Sequence, residues 1–113
     1  MRDHALGKPE AVEDFPFGPE VMVFKVAGKM FGAVAWEESP LRVSLKCDPA
    51  RVAALREEHP AIGAPRYFDP RHWNQVTLDD SVADGLVREL IDDSYRLVVA
   101  KLPRRERDRL TQA

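Results

Sequence analysis

From residue 41 to residue 47 apolar and polar side chains alternate one by one. Leu41, Val43, Leu45 and Cys47 fall on one side of an extended chain, and Arg42, Ser44 and Lys46 fall on the other. That period of two predicts a strand with one buried and one wetter face. Asp48 and Pro49 follow at once. Aspartate suits a helix cap and proline its first turn, so a helix over 48–58 is predicted, with Val52 and Leu55 turned inward. His59-Pro60 ends it, because the residue before proline avoids the helical region.

The same pattern places the other elements. A short helix over 2–7 closes at Gly7 and Pro9. Residues 13–20, with two prolines and a glycine, predict a loop whose Phe15 and Phe17 plug the edge of the core. Strands are predicted over 21–27 and 30–36, joined by a tight turn at Gly28-Lys29. A second turn over 37–40 leads into the strand at 41–47, which makes an antiparallel meander. Residues 61–70 read as irregular or as a weak edge strand, since Pro65 and Pro70 remove ladder donors. A strand over 73–78 and a turn at 79–81 precede the longest element, a helix over 83–102. Its apolar stripe is Leu86, Val87, Leu90, Ile91, Leu97 and Val98; Arg88, Glu89, Asp92, Asp93 and Arg96 form its solvated side. Pro103 breaks it, and a short basic helix follows over 104–110. Strands grouped first and helices segregated predict an α+β fold, an antiparallel sheet with helices packed on one face.

Composition changes this picture little. The 113 residues suit one domain, with its core at about 10–103 and a basic tail over 104–113. No apolar run approaches a membrane span, and no secretory leader is read at the amino end. One cysteine excludes an internal disulfide and a cysteine-based zinc cluster. A cytoplasmic bacterial protein is the simplest expectation. Charge matters more. The net charge is −2, yet residues 1–20 hold five acids against two bases and residues 101–109 hold five bases against two acids. A nucleic-acid partner would therefore need a basic face rather than an overall basic balance.

Several motifs, in order, resemble the MmcQ/YjbR family of small bacterial proteins. They are Glu13-Asp14-Phe15-Pro16-Phe17-Gly18, Phe24-Lys25-Val26 with Gly28-Lys29-Met30-Phe31, Leu45-Lys46-Cys47-Asp48-Pro49, His72-Trp73-Asn74, Leu90-Ile91-Asp92 with Ser94-Tyr95, and Val99-Ala100-Lys101-Leu102-Pro103. The resemblance spans about residues 10–103. It implies a two-layer frataxin/CyaY-like sandwich, or double wing, and a DNA-binding role. It implies no catalytic residue set and no cofactor. Gly85, where a helix former is expected, and the short first helix depart from the family pattern.

Candidate chemistry gathers on the wetter sheet face. Lys25, Arg42, Ser44 and Lys46 share it, joined by Trp73, Gln75 and Thr77 if Val76 and Leu78 face the core. Lysine and arginine would neutralise phosphates, and Trp73 could stack a base or pack on the proline-rich segment. Arg71 and His72 lie in a loop, where binding residues concentrate, while Asn74 turns inward to bond backbone. Lys101, Arg104 and Arg105 head the strongest basic cluster; Arg107 and Arg109 alternate with Glu106 and Asp108 and read as solvating charges. The expected nucleic-acid contacts are thus Arg42, Lys46, Arg71, His72, Trp73, Lys101, Arg104 and Arg105. No metal site is expected: His72 has no second histidine at ligand spacing, and Glu10, Glu13 and Asp14 read as a solvated edge. Cys47 reads as a small buried apolar group, and no serine sits in a nucleophile motif, so no enzyme activity is expected. The competing reading is a protein-interaction or small-ligand module on the same open face, as a monomer or a weak homodimer.

Overall fold

The computed structural model describes residues 1–111. Its elements are α1 (Arg2–Leu6), β1 (Val12–Asp14), β2 (Met22–Val26), β3 (Lys29–Val34), β4 (Leu41–Lys46), α2 (Pro49–Glu58), β5 (Ile62–Gly63), β6 (Trp73–Leu78), α3 (Asp84–Ala100) and α4 (Arg104–Thr111). The six strands form one antiparallel sheet in the order β1-β2-β3-β4-β6-β5. The helices pack on one side of it, as the grouping of strands and helices predicts.

Local chemistry sets the boundaries. Asp48 accepts a hydrogen bond from the Ala50 amide at 2.9 Å, with Pro49 in the first turn, so α2 starts as its sequence dictates. The β2–β3 turn falls one residue earlier than expected. It is Ala27-Gly28, both left-handed at φ 49° and 78°, and Val26 pairs with Lys29 across it. Two left-handed residues match the twist of the flanking strands, which is why the loop needs only two. Part of the predicted loop at 13–20 is strand: β1 pairs with β2 along the sheet edge. Within the weak segment at 61–70 Ile62 and Gly63 form ladder pairs with β6, and the Ala61 carbonyl accepts from the Thr77 amide at 2.8 Å.

Cross-strand register separates the two sheet faces, because directly opposed residues share a side. Phe24, Gly32, Leu45 and Asn74 form one core row; Val34, Val43, Val76 and Ile62 form the next. Onto these rows α3 sets Val87, Leu90, Ile91, Val98 and Val99. Val99 and Ser94 join the buried side of α3, beyond the stripe predicted, while Leu86 and Leu97 are half-buried. The core also takes in Ala5 of α1 and Leu110 of α4. Asp92 and Asp93 are not simply solvated: Asp92 bonds His4 and Lys8, and Asp93 bonds Arg51 and Arg96.

Between β2 and β3 the register slips. Phe24 opposes Gly32 while Lys25 opposes Met30, so Phe31 is an extra residue with no partner. This bulge turns Phe31 into the core, where it is fully buried. Its ring lies 6.1 Å from Phe24 and meets Tyr95 edge-on at 5.3 Å. Glycine at 32 is required there, since a Cβ would fall 2.9 Å from the Phe24 ring. The β3–β4 ladder stops at Gly32–Leu45 beside the bulge, and Ser94 of α3 takes over. Its hydroxyl donates to the Phe31 carbonyl at 2.5 Å and accepts from the Lys46 amide at 2.9 Å.

The aromatic loop departs from expectation. Phe15 and Phe17 do not plug the core; they are 40% and 60% exposed. The core is already closed over β2 by Phe24 and Val26. Trp36 lies beyond the end of β3, half in solvent, and its indole donates to the Pro19 carbonyl at 2.7 Å.

Candidate anion-binding site

The second sheet face carries the rows Val23, Ala33, Ser44, Gln75; Arg42, Thr77; Lys46, Trp73; and Lys25, Met30. This is the grouping that alternation predicts for Lys25, Arg42, Ser44, Lys46, Trp73, Gln75 and Thr77. The face is not wet throughout, however. Val23, Ala33 and Ser44 are buried on it, and Arg66, Tyr67 and Phe68 join Arg42, Ser44 and Gln75 around a cavity of about 160 Å³. Asn74 turns inward, but its partner is a side chain. Arg56 of α2 donates to Asn74 Oδ1 at 2.8 Å and to the carbonyls of Pro70 and Trp73.

At the end of the sheet, β3, β4 and β6 meet the carboxyl end of α3 around a cavity of about 350 Å³. Lys29, Lys46 and Lys101 line it with Met30, Trp73, Val98 and Leu102. No carboxylate is among these residues. The chain has five lysines. Lys8 pairs with Asp92, and Lys25 pairs with Asp14 at 2.8 Å. The other three, which have no carboxylate partner among the described residues, converge here. Backbone explains each placement. Lys29 follows the left-handed turn, Lys46 ends the β4 alternation, and Lys101 caps α3, where a cation meets the negative end of the helix.

Like charges gathered at one cavity repel one another, and a bound anion would offset that repulsion. Burial lowers the pKa of Lys46 below the ordinary lysine value of 10.5, and the charge of Lys101 lowers it further. The charged form of Lys46 is therefore penalised in the free fold. That penalty is present at neutral pH and is relieved as pH rises through the lowered value toward 10.5. A bound anion favours the charged form, so affinity for an anion should fall over the same alkaline interval. Titrating tripolyphosphate binding against pH checks this. Lys101→Met should move the fall to higher pH while weakening binding at neutral pH.

The structure thus brings Lys46, Trp73 and Lys101 together and adds Lys29, which reads from sequence only as a turn residue. The other expected contacts lie elsewhere. Arg42 lines the smaller cavity. Arg71 is 84% exposed and pairs with Asp69, and the carbonyl of His72 accepts from the Cys47 amide at 2.8 Å. Arg104 pairs with Asp108 along α4, and Arg105 is exposed; neither lines the lysine cavity. Trp73 packs on the proline-rich segment, its ring stacked on Phe68 with centroids 4.6 Å apart, and it also lines the lysine cavity. Burial pushes the Cys47 thiol up, which keeps it protonated and unreactive at neutral pH. Among the described residues no three His, Cys, Asp or Glu side chains are grouped to hold a metal ion, and no helix is long and apolar enough to cross a membrane.

Comparison with known proteins places the chain and its fold. The chain is 33% identical to protein YbdF of Escherichia coli O157:H7 over 94% of its length and 87% of that protein's. It is 31% identical to protein YjbR of Escherichia coli K12, over 99% of this chain and 95% of that one. Among solved structures, Deinococcus radiodurans protein DR2400, with a DUF419 domain, superposes with a TM-score of 0.91 at 38% identity, covering 97% of this chain and 84% of that one. A Pseudomonas syringae protein shares the fold, with a TM-score of 0.73 at 24% identity over 84% of this chain and 92% of that one. The YjbR family model matches residues 6–97, a stretch that takes in the bulge, the Asp48-Pro49 cap and two of the three converging lysines. The chain belongs to the YjbR family.

Proposed function

We propose that this protein is a non-enzymatic, cytoplasmic DNA-binding protein that takes hold of phosphate through Lys29, Lys46 and Lys101. The convergence of three lysines without acidic partners on one cavity carries the reading. Clustered cations without counter-charges repel one another, and phosphate oxygens relieve that repulsion while releasing counterions from the DNA. An acidic protein with net charge −2 gains no affinity from its overall charge, so the local cluster must supply it. Arg42, 66 and 105 are further cations without acidic partners among the described residues. They could extend the contact without defining it.

Lys46→Glu should weaken binding of a labelled DNA oligonucleotide about tenfold or more at low salt and flatten the dependence of log affinity on log salt by about one ion or more. Fluorescence anisotropy across a salt series measures both. Unchanged affinity and slope would remove the lysine cavity from the function. A second reading has one observation in its favour: about 350 Å³ lies within the range of small-ligand sites. A small anionic ligand would bind here without a steep salt slope, so the same series separates the two.

A further inference from the structure

Two cationic sites lie on one sheet face with aromatic rings between them. On β4, Arg42 and Lys46 point the same way, four residues apart, so their Cα atoms are about 13 Å apart along the strand. Lys46 belongs to the lysine cavity and Arg42 to the smaller one, which Arg66 also lines. One carboxylate, Glu38, lines that smaller cavity as well. Between the two runs the Trp73–Phe68 stack, with planes 27° apart. Trp73 opens on the lysine cavity and Phe68 on the arginine cavity. Beside Phe68 stands Tyr67, the most exposed large apolar side chain at 84%, with the Arg66 guanidinium 5.9 Å from its ring centre.

Such a surface suits unpaired bases better than a duplex. Duplex DNA offers a protein its phosphates and the edges of its bases, whereas a single strand also offers the base faces to aromatic rings. A span of about 13 Å covers several phosphate steps of a stacked strand, at about 3.4 Å each. An exposed tyrosine on a loop adds nothing to the core, and its position beside two arginines is that of a stacking platform flanked by charge. Resting on the phosphate-binding reading above, we infer that this face binds single-stranded nucleic acid. Phosphates sit at Lys29–Lys46–Lys101 and at Arg42–Arg66, and bases stack on Trp73 beside the lysines and on Tyr67 beside the arginines.

The test uses the full chain with an end-labelled thymidine oligonucleotide, the same oligonucleotide in duplex, and tripolyphosphate as a ligand without rings. The single strand should bind about tenfold tighter than the duplex at equal salt, and Tyr67→Ala should remove about that factor. In a Trp36→Phe variant, which leaves Trp73 as the sole tryptophan, the single strand should quench the indole fluorescence and tripolyphosphate should not. Tyr67 is exposed, so its truncation leaves the fold intact, which a thermal melt verifies. Duplex binding equal to or tighter than the single strand, or no effect of Tyr67→Ala, overturns the single-strand inference and leaves the phosphate-binding reading standing. Failure of every nucleic acid to bind even at low salt overturns both.

Discussion

Phe31→Ala should lower the free energy of unfolding by about 3–5 kcal/mol, read as a shift in the urea midpoint at unchanged slope. Against a total of roughly 5–15 kcal/mol for a domain, that is a loss large enough to leave a substantial unfolded population. The reason is the bulge. Phe31 is the unpaired residue of β3, fully buried, and it joins the Phe24 ring on the sheet to the Tyr95 ring on α3. Truncation leaves a cavity between two layers that cannot close, because the strand is held on both sides of the bulge by ladder pairs. Phe31→Leu refills most of that volume and should lose less than about half as much. Equal losses for the two variants would mean that packing volume is not what the bulge supplies.

Ser94→Ala comes next, with an expected loss of about 2–4 kcal/mol. Deleting one oxygen leaves two backbone groups without partners: the Phe31 carbonyl and the Lys46 amide, which Ser94 bridges from a fully buried position. An unmade hydrogen bond in a dry interior carries the whole desolvation cost of the group. A serine that merely filled space would tolerate alanine almost freely, so a near-neutral result in a denaturant melt would contradict the bridging role. The same bond reaches the candidate site, since the amide it holds is that of Lys46.

Much of this arrangement is written in local pattern. The alternation over 41–47, the Asp48-Pro49 cap and the inward turn of Asn74 each depend on neighbours within a few residues, and local rules suffice for them. The candidate site is different. Lys29, Lys46 and Lys101 are far apart in sequence, and only the sheet register and the length of α3 bring them to one cavity. Ser94 is a polar residue on the buried side of α3, and the helical stripe read from apolar residues passes over it. Its purpose is visible only once the bulge strips two backbone groups of their ladder partners. Phe15 and Phe17 mislead for the opposite reason: hydrophobicity says that a ring prefers burial, but not whether the core has room left for it.

The short strand β1 bears on how the molecule behaves in a crowd. An outer strand leaves a row of unsatisfied amides and carbonyls, a template on which other chains assemble into extended sheets. Here it is three residues long, and two of them carry charge: Glu13 is clamped by Arg2 at 2.8 Å, and Asp14 is clamped by Lys25. Any chain adding itself alongside would have to strip water from those two ion pairs while gaining at most a few backbone bonds. The opposite margin, β5, offers only two residues. The sheet is therefore guarded against self-polymerisation at both ends, so it can leave one face uncovered by helices without inviting aggregation.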